Sequence, residues 1–231
     1  MNQPAVWYLT AVAGLFAVAG CRTPGTPPAA LPPQLALAAN EVRVQFAASL
    51  PETFQRTDSV VIEFNPHWWW PTIRVTALGA TDVDRTHDSF NAVGMTPVGV
   101  KLFDVSRRDG QVQAHFLTDR IPHLDAVTKA LSDDMARLYL NLVPAAGANV
   151  RRERDTLVFR EETAEYATEF VFAGQPALLV EKRCWEGRHR VCTVRFEQYE
   201  GAPNARLPAR IVLDNLRYRY RVTIRLKATG E

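Results

Sequence analysis

The chain has 231 residues, 47% of them hydrophobic, and 27 Lys and Arg against 25 Asp and Glu, which is a net charge of +2 and enough chain for one domain or at most two. It carries no Gly-x-Ser-x-Gly elbow, no His-Glu-x-x-His, no phosphate-cradling Gly-rich loop and no aromatic-basic motif of an RNA reader, and its five histidines are scattered. Catalysis, a cofactor and a nucleic-acid partner are therefore not expected.

Residues 5 to 19 are apolar but too short to span a bilayer as a mature helix, and Val18-Ala19-Gly20-Cys21 closes them with the small residues a signal peptidase needs. This stretch reads as a lipobox and resembles those of bacterial lipoproteins. The resemblance implies that residues 1–20 are a signal peptide and that Cys21 becomes an acylated N-terminus carrying palmitate-type chains, leaving 211 residues with the same net charge. Such an anchor holds a protein on a membrane without spanning it, at roughly 0.8 kcal/mol per buried methylene. Residues 21–33 are Thr, Pro, Gly, Ala and little else, an extended tether. Arg22 stands where inner-membrane lipoproteins tend to carry Asp, so the resemblance favours the periplasmic face of the outer membrane.

The folded domain is expected over residues 34–231. Residues 34 to 50 remain open between an Ala-rich helix and a strand beginning near Val42. From Phe54 the pattern becomes a meander of short β-branched and aromatic runs, at 57–64, 70–78, 88–95, 98–105 and 111–117, with Asp109-Gly110 as the clearest turn. Leu124, Val127, Leu131, Met135, Leu138 and Leu142 then recur at spacings of three and four, one apolar stripe on a helix or a pair of helices that starts near Pro122 and ends before Pro144. Strands resume near 156–160, 165–172, 177–185, 190–199, 207–213 and 217–227.

The last of these alternates Tyr218, Tyr220, Val222, Ile224 and Leu226 with Arg217, Arg219, Arg221, Thr223, Arg225 and Lys227, one apolar face and one cationic. A twisted antiparallel sheet of about ten or eleven strands must curl or close. The expected fold is mainly β, α+β in class: a curved antiparallel sheet forming an incomplete half-barrel, capped by the short helical segment. An apolar cavity is expected beneath the cap, lined by Tyr218, Tyr220, Val222 and Ile224 from the strand and by Leu131 and Met135 from the helix.

Cys184 and Cys192 each lie four residues from Arg188, so a turn at Gly187 and Arg188 sets them opposite one another, where a disulfide can close. A metal site using His189 would lack a fourth ligand and the close-spaced cysteine pair, and none is expected. Asp82, Asp84, His87 and Asp88 are better explained as a polar loop tip, and His123 and Asp125 as charge complementarity at a helix start.

Two surface features bear on partners. Trp68, Trp69 and Trp70 stand in a row between Pro66 and Pro71; alternate strand residues point opposite ways, so the three rings cannot all enter one core. Either one ring meets lipid at a loop tip, or Trp68 and Trp70 pack inward and Trp69 lies on the surface. The cationic face of the last strand, with Arg107, Arg108, Arg151, Arg152 and Arg154, can attract anionic headgroups or an acidic partner, although such a row is more often the solvated side of a sheet.

The segment Gly94-Met95-Thr96-Pro97-Val98-Gly99-Val100-Lys101-Leu102-Phe103 resembles the Asn-Pro-Leu-Gly hairpin of LolB, the outer-membrane lipoprotein receptor, with Val98 in the place of the protruding apolar residue and Thr96 in place of Asn. Leu207-Pro208-Ala209-Arg210-Ile211-Val212-Leu213 with the alternating strand after it, and the helix running into Leu142-Val143-Pro144, are also similar to LolB. The match is to the LolA/LolB superfamily, and within it to LolB-like lipoproteins some of which are encoded beside aryl-polyene lipid biosynthesis enzymes. The resemblance implies a monomer whose hollow holds acyl chains of a lipid or lipidated cargo, with Pro97, Val98 and Trp68 to Trp70 facing membrane or cargo and a LolA-like periplasmic carrier as donor. The alternatives are an envelope scaffold with a filled interior and, third, an acyl-ester hydrolase. Cavity volume separates the first two.

Overall fold

The computed structural model describes residues 33–64, 72–117, 124–203 and 205–227, all within one compact unit, Leu31–Glu231. Cys21, the tether up to Pro32, Trp68 to Trp70, Pro122 and His123 lie outside the described residues. Helix α1 (Pro33–Ser49) leads into β1 (Thr53–Phe64), β2 (Ile73–Asp84), β3 (Ser89–Met95), β4 (Lys101–Arg108) and β5 (Gln111–Leu117). Helix α2 (Leu124–Met135) follows and runs on as a π-helical turn, Ala136–Leu140. The chain then returns through β6 (Asn149–Glu153), β7 (Thr156–Glu162), β8 (Tyr166–Ala173), β9 (Leu178–Glu186), β10 (His189–Glu200), β11 (Leu207–Asn215) and β12 (Tyr220–Leu226).

All twelve strands form one antiparallel sheet in the order β5-β4-β3-β2-β1-β12-β11-β10-β9-β8-β7-β6. Ten of the eleven neighbouring pairs are sequential hairpins; the exception, β1 with β12, joins the two halves from Asp58 opposite Leu226 to Phe64 opposite Tyr220. The strand count exceeds the expected ten or eleven because β6, Asn-Val-Arg-Arg-Glu, is a short charged edge strand with little apolar alternation to betray it. Its counterpart at the other edge, β5, has six of seven residues exposed and, in Gln-Val-Gln-Ala-His-Phe-Leu, no Asp, Glu, Lys or Arg.

The sheet curls. Val83, Phe90, Val105 and Leu117 from one half belong to the same buried cluster as Phe159, Phe170, Phe172 and Ile211 from the other, which a flat sheet of twelve strands could not achieve. Both helices lie in that concavity. Ala39, Phe46 and Leu50 come from α1 and its end, and Met135, Ala136, Leu138, Tyr139, Leu140 and Leu142 from the end of α2 and the π turn. Phe46 and Phe159 each set an edge against Phe172, at ring separations of 5.1 and 5.4 Å.

The expected apolar hollow is therefore filled over the centre of the concave face. The missing ingredient was α1, whose inward residues occupy the space that a single capping helix would leave. Of the residues proposed to line the hollow, Met135 and Ile224 are buried in the core, Leu131 and Val222 pack against it, Tyr220 is tied into a polar network beside it, and only Tyr218 borders open space.

Candidate functional site

The antiparallel order gives the sheet two rims. The β1–β2, β3–β4, β7–β8, β9–β10 and β11–β12 connections lie at one, where β5 also runs out towards α2; the other five hairpin turns lie at the opposite rim. Exposed apolar residues are sorted between them. Of twelve large apolar side chains exposed among the described residues, nine are at or near the first rim: Phe64, Ile73 and Val75 on the β1–β2 hairpin, Val98 and Val100 between β3 and β4, and Phe116, Tyr166, Leu216 and Tyr218. Val112 and Leu226 lie towards the other end, and Val44 on α1. Turns at the opposite rim are instead built from residues such as Arg85 to Asp88, Asp109-Gly110 and Arg154-Asp155.

Backbone geometry makes Val98 protrude. Gly99 N donates to Thr96 O at 2.9 Å, Thr96 N to Val100 O at 2.8 Å, and Val100 N to the Thr96 hydroxyl at 3.0 Å. Pro97 and Val98 are thus the central residues of a tight turn, followed by Gly99 at φ +85°, a conformation that glycine adopts without a side-chain clash. A valine at such a tip has nothing to pack on, and Val98 is 86% exposed.

Beneath α2 lies a cleft of about 580 Å³, most of whose strand residues come from the same rim. The register places Thr168, Cys184, Cys192 and Asn215 side by side on neighbouring strands, so they share the concave face and form the floor. The expected Cys184–Cys192 disulfide is present, with Cα atoms 5.0 Å apart on directly opposed residues. Ala130, Asp133, Ala136 and Arg137 of the α2 segment form one wall, and Tyr166 and Tyr218 stand at the edge. This lining is mixed rather than apolar.

A polar network fixes the wall to the floor. The Tyr220 hydroxyl donates to the Asp134 carboxylate, Asn215 Nδ2 donates to Tyr220 Oη at 3.0 Å, and Arg137 donates to Asp134 at 2.6 Å. Burial raises the Asp134 pKa, opposed by these donors, and burial followed by the Asp134 charge raises that of Tyr220. Lys182, fully buried on β9, donates to the carbonyls of Arg137 (3.0 Å) and Asn141, satisfying the end of the π turn. Sequence patterning gave no sign of either arrangement, because a lone Lys in a strand or Asp in a helix reads as solvent-facing.

The remaining predicted features are structural. Asp84 accepts from the backbone N–H groups of Thr86 and His87, and its hydrogen bonds from the Thr86 hydroxyl and His87 ring hold its pKa at about 2; Asp88 binds Arg107 at 2.7 Å. Both belong to the β2–β3 turn. The cationic face is interlaced with carboxylates: Arg221 and Arg195 share Asp214, and Glu169 lies among Arg151, Arg160 and Arg183. That is the solvated side of a sheet rather than a basic patch.

Among solved structures, the chain is similar to a LolA superfamily protein from Nitrosomonas europaea (9% identity, 82% of this chain and 91% of that one, TM-score 0.49) and to a domain described as an outer-membrane lipoprotein-sorting protein from Vibrio parahaemolyticus (8%, 85% and 93%, TM-score 0.49). A DUF1329 family protein from Desulfovibrio piger is similar at 8% identity, 84% and 91% coverage and a TM-score of 0.46. No curated protein matches the chain. The family described as "Protein of unknown function (DUF3261)" matches residues 74–227, more than half of the chain, which therefore belongs to that family.

Proposed function

We propose that this protein is a non-catalytic lipoprotein, anchored through Cys21 on the periplasmic face of the outer membrane, that rests the apolar rim of its half-barrel against a bilayer and passes an acyl-bearing lipid or lipidated cargo across that contact. The sorting of exposed apolar side chains to one rim carries the reading. Scattered exposed apolar residues are ordinary, whereas a concentration on one side marks a surface that meets lipid or a partner. Val98 belongs to that rim by chain order.

The test uses the full chain with Cys21→Ser, so that acylation does not hold it on the membrane, and neutral phosphatidylcholine vesicles. Val98→Asp is expected to weaken co-sedimentation by about tenfold, since fully burying a valine is worth roughly 1.5–3 kcal/mol. Unchanged binding would refute the rim. A second reading, a scaffold that carries nothing, is favoured by the filled centre of the concave face. Native mass spectrometry separates the two: co-purified lipid supports transfer, and its absence in a protein that still binds vesicles supports the scaffold.

A further inference from the structure

The cleft beneath α2 opens the concave face to solvent, and much of what lines it is charged. Lys129 and Arg137 reach the cleft from the α2 segment, Arg217 from the β11–β12 turn, and Arg107 from the far end of β4, beside the β2–β3 turn, which curling of the sheet brings to the same cleft. Four cationic side chains from three separate places therefore surround one cleft, and Asp133 is the one carboxylate in its lining. The arginines are held from behind: Arg107 by Asp88 at 2.7 Å, Arg137 by Asp134 at 2.6 Å and Arg217 by Glu186 at 3.0 Å, none of these carboxylates being part of the lining. Each pair occupies part of a five-donor guanidinium and fixes its position. Between the cations lie the disulfide, Ala130, Ala136 and the rings of Tyr166 and Tyr218, surfaces suited to hydrocarbon rather than to a second charge.

We infer that this cleft is a binding site for a single-chain anionic amphiphile, its phosphate or carboxylate held by Lys129, Arg137, Arg107 and Arg217 and its apolar body lying on the Cys184–Cys192 floor towards Tyr218. A volume of about 580 Å³ lies within the usual range of small-ligand cavities, roughly 300–1,000 Å³. The proposal rests on the lipid-handling reading above and gives it a substrate class: the ligand enters at the apolar rim, and its charged end selects it.

The experiment is a titration of the full chain carrying Cys21→Ser, without membranes and below micelle-forming concentrations, with dodecyl phosphate, the uncharged dodecyl maltoside and inorganic phosphate. One dodecyl phosphate is expected per chain, at least about tenfold tighter than either comparison ligand, with the preference weakening as salt rises. Lys129 and Arg217 are both exposed, so the double variant Lys129→Gln/Arg217→Gln keeps the fold and is expected to lose most of that preference. Equal binding of the two detergents, or an undiminished preference in the double variant, overturns the inference. Inorganic phosphate binding as tightly as dodecyl phosphate also overturns it, in favour of a free-anion site. Val98→Asp is expected to bind dodecyl phosphate like the parent, so a failure of the rim on vesicles and a failure of the cleft in solution are read separately.

Discussion

The buried charges each answer a specific need. Burial pushes the Lys182 ammonium down to about 7, with Arg137 adding to the effect, although two carbonyls accept from it. Between that value and the ordinary 10.5 the unfolded chain holds a proton that the folded protein has released, so this residue makes stability rise with pH over that interval. Urea midpoints measured at pH 7 and 8.5, well below the ordinary tyrosine value of 10.0, should show the rise, and Lys182→Met should flatten it. Arg56 and Asp58 form a buried ion pair, with contacts of 2.6–2.9 Å, and Arg56 also donates to the carbonyl of Pro208 at 3.1 Å. Asp58→Ala strands the guanidinium and should cost about 3–5 kcal/mol in urea unfolding, with Arg56→Met/Asp58→Leu recovering much of it. Neither arrangement was visible in the pattern of residues 53–64 or 178–186, because alternation reports which face a residue occupies and not what meets it there. Val98 was legible only through the resemblance to the LolB hairpin, since strand patterning alone placed it at the start of a run over 98–105.

At the scale of elements, strands with strong alternation and glycine-marked turns emerged close to their observed bounds, and the ambiguous segment was the decisive one. Val42, Val44 and Phe46 alternate like a strand, whereas Ala39, Val42, Phe46 and Leu50 repeat like a helix. The helix prevails, burying Ala39, Phe46 and Leu50 and leaving Val44 49% exposed. Phe46→Ala should cost about 3–5 kcal/mol, more than any surface change on the same helix, as thermal or urea unfolding will show. The final strand came out shorter than its alternation suggested: residues 216–219 turn before β12 begins, which moves Tyr218 from a strand face to the edge of the cleft. In the β9–β10 hairpin the disulfide spans a sequence separation of eight, and a loop of that length should contribute about 2–3 kcal/mol. Comparing unfolding of the oxidised chain with Cys184→Ser/Cys192→Ser measures it.

For the whole molecule, a curved sheet with a helical cap could be read from strand number and the single apolar stripe, but the state of its interior could not, since filling depends on where α1 lies in space. The candidate site was accordingly half legible. Its disulfide followed from local spacing and its exposed turn from the resemblance to LolB, whereas the ring of cations draws on residues as distant as Arg107 and Arg217, which only closure of the sheet brings together. The anchor is tested independently of any of this: labelled palmitate should enter the wild-type chain and not Cys21→Ser.

The two lateral margins of the sheet remain unequal. Along β6 the guanidinium groups of Arg151 and Arg152 discourage another strand from approaching, but β5 itself carries no Asp, Glu, Lys or Arg, and no described strand covers its peptide amides and carbonyls. Turned about Ala114, two copies of β5 would set Val112 against Phe116 and Gln113 against His115, pairings that attract or are indifferent. High local concentration raises the frequency of such encounters, so crowding should zip neighbouring molecules together along this seam. Sedimentation velocity at high protein concentration will reveal the stacking, and a lysine introduced at Gln113 should abolish it.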